Sequence, residues 1–157
     1  MKVGFVGLGI MGRPMCKNLL KAGYEVTAFD PYAPGALDDV VSCGAHRGTS
    51  NADVASKSDV VITMVPNSPN VREAVLGEGG VLEGAKDGLD IIDMSSIAPL
   101  ESKAIAEECA KHGVQMMDAP VSGGEPKAID GTLSIMCGGP KALFDMTPEE
   151  IVKEISD

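Results

Sequence analysis

Short apolar runs alternate along the chain with segments in which apolar residues recur at helical spacing. The short runs predict buried strands at residues 2–6, 25–29, 45–47, 60–65, 89–94, 114–117 and 132–137. The helical spacing predicts helices at residues 11–22, 37–43, 51–57, 70–76 and 100–112. Strand and helix follow one another throughout, which predicts an α/β fold with a doubly wound, mainly parallel sheet in a single domain over residues 1–157.

The helix at residues 100–112 has a predicted apolar face. Leu100, Ala104, Ile105 and Cys109 share one side of it, so we expect them to form its buried face. Gly113 follows at the position where a glycine commonly ends a helix.

Capping and turn residues mark other boundaries. Gly23 lies where a C-terminal cap glycine ends the first helix, and Ser50 or Asn51 caps the third. The sequence Pro-Tyr-Ala-Pro-Gly at 31–35 is typical of a turn. Thr-Pro-Glu-Glu at 147–150 forms a capping box, which predicts a short helix from about residue 147.

Composition and charge reduce the range of partners that the protein is expected to bind. The chain has 157 residues, 44% of them hydrophobic, and a formal net charge of −10 at pH 7. Nucleic acids and anionic membranes attract positive charge, so we expect neither as a partner. No apolar run approaches the roughly 20 residues of a membrane span. The four cysteines form no C-x-x-C pair and the two histidines lie far apart, so we expect free thiols, no metal site and a cytoplasmic protein.

A glycine-rich motif separates the first predicted strand from the first predicted helix. It reads Gly7-Leu8-Gly9-Ile10-Met11-Gly12 and fits the pattern G-x-G-x-x-G. In a dinucleotide-binding turn the first glycine permits the bend, the second lets a pyrophosphate approach the backbone, and the third lets the helix pack on the strand. The alternative is a glycine-rich turn that binds nothing. The flanking strand and helix favour a Rossmann-type cofactor site.

Asp30 ends the second predicted strand. A carboxylate there accepts hydrogen bonds from both ribose hydroxyls of NAD and repels the 2′-phosphate of NADP. No arginine follows it, since the next residues are Pro31 and Tyr32. We therefore expect NAD as the preferred cofactor, with NADP as the second choice. The alternative is an aspartate that only begins a turn with Pro31.

Two further loops follow predicted strands and are placed to touch the cofactor, because ligands bind beyond the carboxyl ends of such strands. The first loop is Met64-Val65-Pro66-Asn67, for which an ordinary proline turn is an equally good interpretation. The second contains Ser95 and Ser96, whose hydroxyls are expected to contact a nicotinamide ribose or a substrate unless they only precede the next helix.

A third loop carries Ser122, Gly123 and Gly124 after the strand at 114–117. Backbone N–H groups exposed by two glycines can hold a carboxylate. A simple loop of turn-forming residues is the alternative.

In these motifs the sequence resembles the β-hydroxyacid dehydrogenases. The stretches that carry the resemblance lie at residues 7–15, 93–96, 118–124 and 131–134, and it extends to about residue 145. It implies that a small β-hydroxyacid and its semialdehyde are interconverted with NAD or NADP. It also implies that residues 7–12 and Asp30 hold the adenosine half of the cofactor. Val65, Pro66 and Ser96 would line the nicotinamide side, and residues 122–124 would bind the substrate carboxylate.

One family motif is not found. The proton-donating lysine of these enzymes lies in a G-x-x-G-x-G-x-x-x-K-x-x-N pattern that leads into an all-helical second domain, and these 157 residues contain no such pattern. We therefore assign no catalytic residue and expect the cofactor-binding part of an oxidoreductase. The alternatives are an NAD-binding module or a structural domain without turnover. Apolar surface left uncovered by a missing helical domain predicts a homo-oligomer.

Overall fold

Six parallel strands form the central sheet of the computed structural model, which describes residues 1–122, 124–131 and 134–135. The strands are β1 (Lys2–Val6), β2 (Glu25–Phe29), β3 (His46–Arg47), β4 (Val60–Thr63), β5 (Asp90–Asp93) and β6 (Gln115–Asp118). Their order in the sheet is β3-β2-β1-β4-β5-β6. The doubly wound parallel sheet is confirmed, and the reversal of strand order between β1 and β4 opens a crevice at their carboxyl ends.

Helices cover both faces of this sheet. They are α1 (Gly12–Lys21), α2 (Pro34–Ser42), α3 (Asn51–Ser56), α4 (Ser68–Leu76), α5 (Val81–Gly84), α6 (Pro99–Ala110) and α7 (Gly124–Asp130). A separate antiparallel pair joins β7 (Val121–Ser122) to β8 (Ser134–Ile135). The first three strands match their predicted positions within one residue, whereas α5, β7 and α7 were not predicted.

Alternate residues of each strand enter one of two hydrophobic cores. In β5, Ile91 packs in the core beside α4 and α6, and Ile92 packs in the core beside α1 and α2. Both side chains are fully buried. A strand covered on both faces needs apolar residues at every position, which is why these strands read as unbroken apolar runs.

Two predicted helix features are wrong. Helix α2 begins at Pro34, inside the stretch expected to be a turn, because proline fits the first helical position. The buried face of α6 consists of Ser102, Ile105 and Cys109, whereas Leu100 is 82% exposed and Ala104 is exposed.

Some predictions fall outside the part of the chain that the structure describes. These are most of the strand at 132–137, of which only residues 134–135 are described, and the helix from about residue 147. Within the described ranges, every helix is too short or too polar to cross a bilayer. Those same ranges hold no group of three or more His, Cys, Asp or Glu side chains that could bind a metal ion.

Candidate cofactor-binding site

A cavity of about 760 Å³ lies at the carboxyl ends of β1, β2 and β4, in the crevice where the strand order reverses. Most of the residues predicted to hold a cofactor line it: Gly7, Gly9, Ile10, Met11, Gly12, Asp30, Met64, Val65, Pro66 and Ser96. The structure therefore brings four separate sequence segments together around one space.

The three glycines of the first loop have the three geometries that a phosphate-binding turn needs. Gly7 has φ +98°, and a Cβ there would lie 2.1 Å from the Met64 carbonyl oxygen. A Cβ on Gly12 would lie 2.0 Å from the Gly7 carbonyl oxygen, so this glycine allows α1 to pack on the turn. A Cβ on Gly9 would meet no atom within 4 Å, because this position faces open space at the cavity.

The N-terminus of α1 opens into the same space. Its N-cap residue, Met11, makes no side-chain capping hydrogen bond, and its first turn contains no acidic residue. The first N–H groups of a helix have no partner within the helix, and the helix dipole favours an anion beside them. A pyrophosphate fits here, since Gly9 leaves room for it. The Arg13 N–H already donates to the Gly9 carbonyl at 3.0 Å and Pro14 has no N–H, so the main contribution of α1 is the positive end of its dipole.

Asp30 lines the cavity at the end of β2. Its Oδ2 accepts a hydrogen bond of 2.7 Å from the Leu8 N–H, and its Oδ1 accepts one of 2.9 Å from the Tyr32 N–H. Asp30 thus both fastens the glycine loop and begins the next turn. Both oxygens face backbone donors, and each retains a further lone pair for a ribose hydroxyl.

Tyr32 and Glu73 form a contact across the cavity that sequence reasoning missed. Both residues line the cavity, and the Tyr32 hydroxyl donates a 3.2 Å hydrogen bond to Glu73 Oε1. This bond, followed by the negative charge of Glu73, raises the pKa of Tyr32. The two residues lie 41 positions apart, so no local pattern connects them.

Two of the predicted cofactor residues do not line the cavity. Leu8 is buried, and its role is the backbone hydrogen bond to Asp30. Asn67 caps α4, with its Oδ1 accepting a 3.2 Å hydrogen bond from the Asn70 N–H. Asn70 lines the cavity instead. The sequence did indicate the capping role of Asn67, because an asparagine before Ser-Pro is a strong helix N-cap.

The far wall of the cavity comes from segments with no recognisable motif. Ser50 and Asn51 contribute from the start of α3, and Glu78 and Gly79 from the turn after α4. The Ala52 N–H donates a 2.9 Å hydrogen bond to the Gly79 carbonyl, which joins the two segments.

Polar groups at the neighbouring ends of β4 and β5 are hydrogen-bonded to one another beneath this site. The Val65 N–H donates to Ser95 Oγ at 2.9 Å, and the Ser95 N–H donates to Asp93 Oδ1 at 3.1 Å. The Thr63 hydroxyl donates to the same oxygen at 2.9 Å. Ser95 is thus structural and buried, whereas Ser96 is the exposed residue at the cavity.

Burial controls the acidity of two aspartates in this region. It raises the pKa of Asp93, which is fully buried at the end of β5. Burial, followed by the negative charge of Asp93, raises the pKa of Asp118 to about 6.

The loop predicted to bind a substrate carboxylate is only partly described. Ser122 lies in β7, Gly123 is outside the described residues, and Gly124 begins α7 with φ +70°. Gly124 therefore lies at the start of a helix, and carboxylate binding by residues 122–124 stays a prediction. Helix α7 packs on α1, since Asn18 Nδ2 donates a 2.8 Å hydrogen bond to the Ala128 carbonyl.

Comparison with known proteins agrees with this geometry. Residues 2–157 match the family described as the NAD binding domain of 6-phosphogluconate dehydrogenase. The 2-hydroxy-3-oxopropionate reductase of Escherichia coli strain K12 is 46% identical over 147 residues, which cover 92% of this chain and 49% of the relative. The NAD-dependent L-serine dehydrogenase of Pseudomonas aeruginosa is 41% identical over 138 residues, which cover 88% of this chain and 46% of the relative.

Solved structures show the same likeness. A structure of Mycobacterium tuberculosis 3-hydroxyisobutyrate dehydrogenase with L-serine has a TM-score of 0.92 and 34% sequence identity to this chain. The match covers 99% of this chain and 52% of that one. The chain thus spans about half the length of the curated relatives it matches.

Proposed function

Since the chain belongs to the β-hydroxyacid dehydrogenase family and carries its NAD-binding domain, we propose that it holds a nicotinamide cofactor for the interconversion of a small β-hydroxyacid and its semialdehyde. D-glycerate and tartronate semialdehyde (2-hydroxy-3-oxopropionate) are the proposed pair. The protein is then a reductase or dehydrogenase, and this chain supplies its cofactor-binding part.

The open space over Gly9, beside the uncapped N-terminus of α1, is the observation that carries this proposal. If this turn bound nothing, no ligand would require a glycine at position 9. A pyrophosphate held there would direct the adenosine toward Asp30 and the nicotinamide toward Val65, Pro66 and Ser96. The bound cofactor supplies the hydride, and the protein positions it and excludes water around it.

NAD is the proposed preference over NADP. Asp30 lies at the cavity, and Glu73 and Glu78 also line it. A 2′-phosphate would face these carboxylates without a neighbouring arginine to accept it, since the residue after Asp30 is Pro31.

The substrate proposal rests on sequence likeness and on the loop after β6. The relatives include enzymes named for 2-hydroxy-3-oxopropionate, L-serine and 3-hydroxyisobutyrate, and all three are small β-hydroxyacids or their oxidised forms. We assign the substrate carboxylate to residues 122–124. A group must also protonate the developing alkoxide, and we assign no residue of this chain to that role.

A second candidate function is an NAD-binding module that performs no turnover of its own. It describes what these 157 residues can do by themselves, because they contain no lysine motif of the family to act as proton donor. Such a module would bind NAD at the same site as the proposed reductase and would differ from it only in performing no hydride transfer.

Turnover assays separate the two candidates. Purified chain is incubated with NAD⁺ and, in turn, D-glycerate, 3-hydroxyisobutyrate or L-serine, and NADH formation is followed by absorbance. The expected result for the reductase is fastest turnover with D-glycerate once the chain is joined to a helical domain that supplies the family's lysine. Saturable NADH binding with no turnover on any of the three supports the module, and no binding of NADH or NADPH contradicts both.

Cofactor preference is measured by titrating the chain with NADH and NADPH. We expect NADH to bind at least about tenfold more tightly, a difference of about 1.4 kcal/mol. Asp30→Asn removes the charge while keeping a hydrogen-bond acceptor, so it should bring the two dissociation constants together. Asp38→Asn removes an equal charge from an exposed residue outside the cavity and should leave their ratio unchanged.

A further inference from the structure

Two carboxyl oxygens in the described part of the chain are buried without a hydrogen-bond partner: Asp93 Oδ2 and Asp118 Oδ1. Buried polar atoms in folded proteins nearly always have a partner, because an unpaired one loses its hydration without compensation. Neither oxygen belongs to the cofactor cavity, so the proposed function does not explain them.

The two residues are direct neighbours. Asp93 in β5 and Asp118 in β6 are register partners at the carboxyl ends of their strands. Register partners on adjacent parallel strands project their side chains to the same face of the sheet. The Ala119 N–H donates a 2.7 Å hydrogen bond to the Asp93 carbonyl, which holds the two strand ends at this point.

The hydrogen bonds of Asp93 use one of its two carboxyl oxygens and leave the other without a partner. Its Oδ1 already accepts from the Thr63 hydroxyl and the Ser95 N–H. Its Oδ2 is left without a partner. Two ionised carboxylates at adjacent register positions would repel one another in a buried setting.

The described cations around this face are engaged elsewhere. Strand alternation places both aspartates on the side of the sheet covered by α4 and α6. On those helices Arg72 pairs with Glu101 at 2.9 Å, and both side chains are nearly half exposed. Lys111, just beyond α6, pairs with Glu108, and Lys103 is exposed.

We propose that Asp93 and Asp118 share one proton, and that this proton fastens the ends of β5 and β6 beneath the cofactor cavity. The proton resides on Asp118 and is donated to Asp93 Oδ2, so that each orphaned oxygen gains a partner. Asp93 is the ionised member because two other donors already stabilise its negative charge. The raised pKa of Asp118, about 6, agrees with this arrangement.

The pair acts on the cavity through Ser95. Asp93 orients the Ser95 backbone, and Ser95 Oγ accepts the hydrogen bond from the Val65 N–H at the cavity wall. Asp93 and Asp118 are thus positioning residues. Loss of the shared proton would set two negative charges against each other and loosen Val65, so NADH affinity should fall as the pair ionises. That last consequence rests on the proposed function, whereas the shared proton does not.

Carbon-13 NMR of the aspartate carboxyl groups tests the shared proton directly in the cofactor-free chain. We expect one carboxyl to titrate with a midpoint about 6 in the wild type and to disappear in Asp118→Asn. Asp93→Asn removes the neighbouring charge and offers an amide donor, so the Asp118 midpoint should fall, while burial, the larger cause of its raised pKa, remains. Asp87→Asn, at an exposed position, should leave the midpoint unchanged.

Thermal unfolding supplies an independent readout. The folded chain retains the proton at pH values where the unfolded chain has lost it, so the pair contributes stability below about pH 4 that is lost as pH rises through about 6. The Tm of wild type relative to Asp118→Asn should therefore fall across that window.

Three results would overturn the proposal. The first is that both carboxyls titrate in the ordinary aspartate range. The second is a Tm difference that does not change with pH. The third is a midpoint that Mg²⁺ or Ca²⁺ lowers, which would mean that a cation and not a proton joins the pair. If the NMR midpoint is found but NADH does not bind, the proposed function fails and the shared proton stands.

Discussion

At the scale of single residues, neighbouring glycines in one turn are required for different reasons. Gly12 is fixed by packing, because any Cβ would strike the Gly7 carbonyl oxygen at 2.0 Å. Gly9 has no such neighbour in the protein. We propose that this position is glycine because a bound dinucleotide comes close to the backbone here. This contrast separates a glycine that folding needs from one that binding needs.

Substitution by valine tests the contrast. Gly9→Val should change the free energy of unfolding by no more than about 0.5 kcal/mol, as for a surface position. Gly12→Val should lower it by about 3 kcal/mol or more, because the backbone must move to admit the side chain. Urea denaturation measures both. Gly35→Ala, in open space within α2, is the control and should be neutral or slightly stabilising. Equal losses for Gly9 and Gly12 would contradict the assignment.

Motif residues were predictable from the sequence, and their partners across the cavity were not. The glycine turn, Asp30 and the Val65–Pro66 step follow from position relative to strands. Asn67 was predicted from its loop position, and the structure shows it capping α4 outside the lining of the cavity, so its contact with a cofactor stays a prediction. The Tyr32–Glu73 contact depends on how β2 and α4 are placed in space, and no spacing rule connects residues so far apart.

At the scale of elements, strands were predicted better than helix faces. Strands buried on both sides show as apolar runs, a signal independent of register. Helix α6 carries small and polar residues on both sides, so its periodicity is weak, and Ser102 is buried where Leu100 was expected. Helix α5 is four residues long, and α7 begins with Gly124 and has Pro126 in its first turn. Such composition is typical of loops, which is why both helices were missed.

Two alanine substitutions on α6 distinguish the observed face from the expected one. Ile105 is fully buried, so Ile105→Ala should lower the free energy of unfolding by about 2–5 kcal/mol. Leu100 is 82% exposed, so Leu100→Ala should change it by no more than about 0.5 kcal/mol. Chemical denaturation of the two variants provides the comparison. A larger loss for Leu100→Ala would restore the face expected from the sequence.

At the scale of the whole molecule, one topological fact places the site. The strand order β3-β2-β1-β4-β5-β6 sends the chain to opposite sides of the sheet on either side of β1, and the cavity lies at that point. The alternation of strands and helices in the sequence predicted this class of sheet. It did not predict the far wall of the cavity, because the hydrogen bond between Ala52 and Gly79 joins two segments that are distant in sequence and share no motif.

Self-association stays a prediction at this scale. Ile10, Leu100 and Ile129 are large apolar side chains that are more than half exposed. Contacts between copies would remove such surface from water. Sedimentation velocity across a concentration series should show species larger than one chain. A single monomeric boundary at the highest concentration would contradict the prediction.

The central claim is that the cavity over Gly9 binds the dinucleotide, and fluorescence titration with NADH tests it most directly. The account predicts saturable binding to the wild-type chain and loss of that binding in Gly9→Val, whose unfolding curve matches the wild type. No saturable binding to the wild type, or equal affinity in Gly9→Val, would contradict it.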